Sequence, residues 1–135
     1  MPSTELKRET LPDARLGGPG LRTFLKIANE WELSSREQAI LLGTPESTFY
    51  AWKKDAIAGK NLDLRRDTLE RLSYILGIYK ALVILLPMSS SGWIKRPNDA
   101  PLFGGKPALT RMLSGNVADL FVVRQYLDAW RGGWA

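Results

Sequence analysis

Between Asp63 and Pro87 the apolar residues fall in two interleaved rows, and this double stripe fixes the class of fold. Leu69, Leu72, Leu76, Tyr79, Val83 and Leu86 alternate at spacings of three and four, with Ile75, Ile78, Leu82 and Leu85 forming a second row beside them. A helix with so wide an apolar face must be largely buried, and Pro87, which cannot continue it, stops it. Burial on that scale needs other elements packed around the helix. The remaining apolar spacing is helical too, so the expected fold is all-α.

Ahead of that helix, Leu21, Phe24, Leu25, Ala28 and Trp31 mark one face of a first amphipathic helix. Ser34 followed by Glu37 makes a capping box for a second, which runs to Leu42. Gly43 supplies the left-handed residue that closes it. Thr44 and Pro45 then read as an N-cap and a first helical residue opening a third helix to about Ala56, ended by Gly59-Lys60-Asn61. Residues 1–20 carry Pro2, Pro12, Gly17, Gly18, Pro19 and Gly20 among charges and are expected to form a flexible arm.

Behind the long helix, residues 88–106 are rich in Ser, Gly and Pro and predict an irregular connection anchored by Trp93, Ile94 and Phe103. Pro107 to Leu113 predicts a short helix closed by Ser114-Gly115. Asn116 with Asp119 is expected to cap a last helix bearing Val117, Leu120, Val123, Leu127 and Trp130, with Gly132-Gly133 at its end.

The residue inventory removes most catalytic chemistry. Cys and His are both absent, so disulfides, the usual zinc sites and the Ser-His and Cys-His nucleophile pairs cannot be built. Phe103-Gly104-Gly105-Lys106 lacks the spacing and preceding strand of a phosphate loop, and no cofactor or metal is expected. The longest apolar run, Ala81 to Met88, is far short of the roughly 18 residues that a membrane span needs. With no apolar signal core at the N-terminus, a cytoplasmic location is expected. The net charge of +5 favours an acidic partner such as nucleic acid. Its distribution is uneven: 9 Lys/Arg face 8 Asp/Glu up to Leu62, and 10 face 6 from Asp63 onward.

Two short capped helices joined at Gly43, with small Ala39 and core-forming Phe49 and Trp52, match a helix-turn-helix, although a plain helical hairpin in a bundle has the same outline. In a helix-turn-helix the outward side chains of the second helix meet the major groove. The residues assigned to DNA are Thr44, Ser47, Tyr50, Lys53, Lys54 and Lys60, with Glu46 beside them. No Arg, Asn or Gln stands on this helix to read a base with two hydrogen bonds. Ser47 and Tyr50 would read weakly and the lysines would meet phosphates, so isolated affinity should be low and sensitive to salt.

The rear half carries an unusual series: Trp93, then Pro97-Asn98, then Phe103-Gly104-Gly105-Lys106-Pro107, then a final helix closing in Tyr126-Leu127-Asp128-Ala129-Trp130-Arg131-Gly132-Gly133-Trp134. This series resembles the toxin-binding domain of the Xre/MbcA/ParS antitoxins, and with the helix-turn-helix the resemblance covers about residues 20 to 135. It implies an N-terminal helix-turn-helix domain (21–62), preceded by the arm (1–20) and joined by the long helix to a small C-terminal toxin-binding module (63–135). It further implies a type II antitoxin that neutralises a RES-domain, NAD-degrading toxin and represses its own operon, the enzymatic activity belonging to the partner. Trp93, Pro97, Asn98, Phe103, Gly104, Gly105 and Pro107 would shape the module. Asn98 is suited to bond nearby backbone in a turn, and the two glycines to a tight reversal. Tyr126, Trp130, Arg131, Trp134 and Ala135, at the end of the chain, would contact the toxin, since exposed aromatics and arginine dominate interface hot spots. Operator binding is expected to be strongest in the toxin complex, where linked sites add avidity. Whether the chain also forms a homodimer within that hetero-oligomer is open. The competing reading is a free-standing helix-turn-helix regulator with no toxin partner.

Overall fold

The computed structural model describes residues 17–132. Its helices are α1 (Gly17–Glu30), α2 (Ser35–Leu42), α3 (Glu46–Ile57), α4 (Arg66–Leu85), a 3-10 helix (Ser90–Lys95), α5 (Ala108–Met112) and α6 (Val117–Trp130). The chain is all-α, with a helix-turn-helix in front and a small helical module behind, as the patterning predicts. The described residues hold no strand, only one antiparallel bridge between Pro97 and Pro107.

The first helix begins at Gly17, four residues ahead of the expected start at Leu21. The glycines assigned to an arm serve close packing instead. A Cβ at Gly17 would collide with the Leu62 carbonyl, and one at Gly18 would lie 3.1 Å from the Lys60 carbonyl oxygen. Pro19 sits among the first-turn amides that have no intrahelical acceptor, so its missing N–H costs nothing. Residues 1–16 of the expected arm lie outside the described residues. Within α1 the inner face is completed by Ile27, 2% exposed, while Leu25 is only partly buried, because Leu25 falls at the margin of the arc that Leu21, Phe24 and Ala28 define.

The two joints of the helix-turn-helix follow the sequence signals closely. Ser34 Oγ accepts from the Glu37 amide at 3.1 Å and Glu37 Oε1 accepts from the Ser34 amide at 2.8 Å, the reciprocal capping box. Gly43 adopts φ 68°, and the amides of Gly43 and Thr44 donate to the carbonyls of Ile40 and Ala39, closing α2 with a Schellman turn. One boundary is corrected: Pro45, extended at φ −61° and ψ 151°, is itself the N-cap of α3, and Thr44 belongs to the preceding turn. Proline offers no side-chain acceptor, so the α3 N-terminus has no side-chain cap.

Helix α4 is the common wall of the molecule. Its deepest row runs through Ile75, Ile78 and Leu82 with Leu69 and Leu72, all in one hydrophobic cluster with Phe24 and Phe49 of the front and Ile94, Leu120 and Val123 of the rear. The row with Val83 is therefore not the innermost: Leu76 and Tyr79 are half-buried and Val83 is exposed. Tyr74 meets Phe121 edge-on with centroids 5.6 Å apart, and Arg124 packs on Gly77. Those pairs advance along both helices together, so α4 and α6 lie parallel.

Candidate functional site

On α3 the exposed residues are Glu46, Ser47, Tyr50, Ala51, Lys54 and Ile57, opposite the buried pair Phe49 and Ala56. Tyr50 is half exposed and its ring leans on Phe49 at 6.0 Å between centroids, which limits its rotamers without covering it. Lys53 is half-buried at the edge of that exposed face, one turn from Tyr50. It lies about a quarter turn round from Lys54 and lines a cleft between α1 and α3 with Arg22, Lys26, Glu30 and Ile57. Thr44 is half-buried and engaged through its amide, and Lys60, exposed past the Gly59 turn, stands 3.8 Å from Asp55.

In the rear module, the loop from Pro97 to Pro107 closes on itself. The Asn98 amide donates to the Lys106 carbonyl at 3.2 Å, and the Gly105 amide donates to the Asn98 carbonyl at 2.9 Å. Asn98 Oδ1 accepts from the Ala100 amide at 3.0 Å, the side-chain-to-backbone turn expected of it. Gly104 and Gly105, at φ 58° and 82°, make the reversal that a Cβ would strain. Phe103 is thereby carried under Trp93 and Tyr126, at 5.9 and 5.4 Å between centroids, both edge-on. Tyr126 also stacks on Trp93 at 6.5 Å and 22°, and Trp130 continues the cluster at 6.4 Å from Tyr126. Burial falls along this row from Trp93 and Phe103 to Trp130, which is 48% exposed.

A polar network ties the loop to α6. Arg111 donates from Nε to Asp119 Oδ1 at 2.8 Å and from Nη1 to the Leu102 carbonyl at 2.9 Å. Ser114 Oγ donates to Asp119 Oδ2 at 2.6 Å and accepts from the Asn116 amide at 3.0 Å. The Ser114 hydroxyl foremost, and the Arg111 guanidinium with it, hold the Asp119 carboxyl below its ordinary value against the opposing effect of burial. The expected capping role of the Asn116 side chain is corrected here: Asn116 is the N-cap by position, but its side chain makes no cap bond.

Two family comparisons meet this geometry. Residues 11–77 match the family described as the antitoxin Xre-like helix-turn-helix domain, and residues 87–133 match the antitoxin Xre/MbcA/ParS C-terminal toxin-binding domain. The chain belongs to the Xre/MbcA/ParS antitoxin family. This antitoxin is also 52% identical over 116 residues to a protein of Sinorhizobium fredii (strain NBRC 101917 / NGR234) called uncharacterized protein y4oB, the match covering 84% of each chain. Both matched domains are binding domains, which points to a non-enzymatic role, and no described helix is long and apolar enough to cross a membrane.

The fold of the antitoxin gathers Tyr126 and Trp130 with Trp93 and Phe103 in one cluster, with Arg131 exposed beside it and 3.9 Å from Asp128. Trp134 and Ala135, assigned to the same surface, lie outside the described residues. Of the residues expected to meet DNA, it exposes Ser47, Tyr50 and Lys54 on α3 and leaves Lys53 half-buried along the α1–α3 cleft. Sequence reading missed Arg71, a nearly buried cation on the inner face of α4. The signal was available: Arg71 heads the apolar row of Ile75, Ile78 and Leu82, with an opposite charge, Asp67, one turn before it.

Proposed function

We propose that this antitoxin belongs to a type II system, neutralises a RES-domain NAD-degrading toxin through the end of α6, and represses its own operon through α3, in the cytoplasm. The observation that carries the toxin-binding half is the graded aromatic row. Trp93 and Phe103 are locked in the core, Tyr126 rests on both, and Trp130 projects half-exposed from the last turn of α6. Such an anchor loses little side-chain freedom on docking and offers a large apolar face beside the Arg131 cation, the composition of a binding hot spot. Neutralisation then requires no chemistry from the antitoxin; it occludes the partner's substrate site.

For DNA, the stripe of Ser47, Tyr50 and Lys54 supplies one groove-facing hydroxyl, one ring with a phenol and one phosphate partner. That set supports weak sequence reading by one chain and favours a complex in which several copies bind together. Co-expression with the adjacent gene tests the proposal. A RES-type product that co-purifies, and whose NAD consumption is suppressed in the sized complex, is the expected result. Specific operator binding by the purified chain with no co-purifying partner would instead establish a free-standing regulator.

A further inference from the structure

Arg71 touches both halves of the molecule. Its side chain is almost fully buried, at 10% exposure. Nε donates to Asp67 Oδ2 at 2.9 Å on the same helix, and Nη2 donates to the Gly115 carbonyl, also at 2.9 Å. On the other side, a Cβ built at Gly43 would stand 2.7 Å from both Cζ and Nε, so the guanidinium fills the space that a side chain at the helix-turn-helix turn would need. One turn earlier on α4, Thr68 Oγ1 donates to the Leu42 carbonyl at 3.3 Å, holding the last turn of α2 against the same helix. Gly115 lies one residue ahead of the α6 N-cap, in the turn that Ser114 and Asp119 brace.

We propose that Arg71 is a positioning residue that couples the helix-turn-helix turn to the entry of α6, so that docking at the far end of α6 is read at the DNA-binding face. The role of that far end rests on the function proposed above; the coupling itself does not. Asp67 and the Gly115 turn are open to solvent, but the guanidinium between them is nearly buried, and its charge-assisted bond to the Gly115 carbonyl draws it along when that turn shifts. Gly43 is in contact with the same planar group, and its φ sets the angle between α2 and α3. A displacement at one turn is therefore transmitted to the other through one planar guanidinium. Lysine cannot substitute, because an ammonium presents no planar fork to span Asp67 and Gly115 while covering Gly43.

The test is amide hydrogen exchange at Gly43 and Thr44 in the full chain, with the Leu33 amide, bonded to Ala28, as an internal reference for global opening. Asp119→Asn loosens the Gly115 turn from within the rear module. With Arg71 present, it should lower protection at Gly43 and Thr44 relative to Leu33 by about 5-fold or more, the lower range of allosteric couplings. With Arg71→Lys, or Arg71→Gln should the lysine variant not fold, that relative drop should vanish. Equal drops in both backgrounds would mean the two sites are independent and would overturn the inference. A second comparison uses the adjacent gene's product and a duplex from the chain's own upstream region. The partner should change duplex affinity more for wild type than for Arg71→Lys, and avidity, common to both proteins, cancels in that ratio; an identical change in both also overturns it. If wild type binds no such partner, the proposed function fails while the exchange result still decides the role of Arg71.

Discussion

Glu32 is the one described non-glycine residue with positive φ, at 54°. It closes α1: its own amide donates to Asn29 and the Leu33 amide to Ala28, the Schellman pattern that ordinarily carries glycine. Its carbonyl also accepts Lys95 Nζ at 2.8 Å, so the backbone here fastens the front half to the 3-10 helix. Left-handed backbone costs an L-residue about 1 to 2 kcal/mol, part of which glycine returns through its freer unfolded chain. Glu32→Gly should therefore raise stability by about 0.5 to 1 kcal/mol in a urea titration, whereas Glu32→Ala, which keeps the strain, should show no such gain. Asp119 yields a second expectation at this scale. Its folded pKa is depressed, so its contribution is present above the ordinary carboxylate value and is lost as pH falls through the folded one. Urea midpoints measured against pH should thus fall less steeply for Asp119→Asn than for wild type below about pH 4.

Among the elements, α3 and the loop before α5 show what a sequence can and cannot disclose. Capping box, left-handed glycine, helix period and the Asn98 turn all depend on residues within a few positions of one another, and each was readable from spacing alone. The orientation of Lys53 was not, because it depends on how α1 crosses α3, which no local pattern encodes. Likewise the glycines before Leu21 look like a chain without order until the Lys60–Leu62 backbone comes against them. Nor does the order of Trp93, Phe103, Tyr126 and Trp130 say that they stack, since the loop closure at Pro97 and Pro107 brings them together. The orientation of the lysines carries a prediction. Lys54→Glu should weaken duplex binding and reduce the salt slope by about 0.9, the value of one phosphate contact. Lys53→Glu, changed in the α1–α3 cleft, should have the smaller effect on both quantities in the same anisotropy titration.

Across the whole molecule, the two proposed binding surfaces sit on different elements whose cores both draw on α4. Deleting residues 130–135 removes Trp130 and Arg131 and leaves every residue of the hydrophobic cluster in place. Neutralisation in a growth assay should be lost, while the thermal transition and duplex binding by the free chain stay close to wild type; growth still protected by the truncated protein would refute a toxin-binding role for that end. The parallel packing of α6 along α4 has a further consequence. Because α4 supplies core residues to both the front and the rear, cutting the chain within it would strip the apolar cover from both matched domains at once. The exposed tip of the last helix, by contrast, can change without disturbing that shared wall, since Trp130 and Arg131 stand outside the hydrophobic cluster.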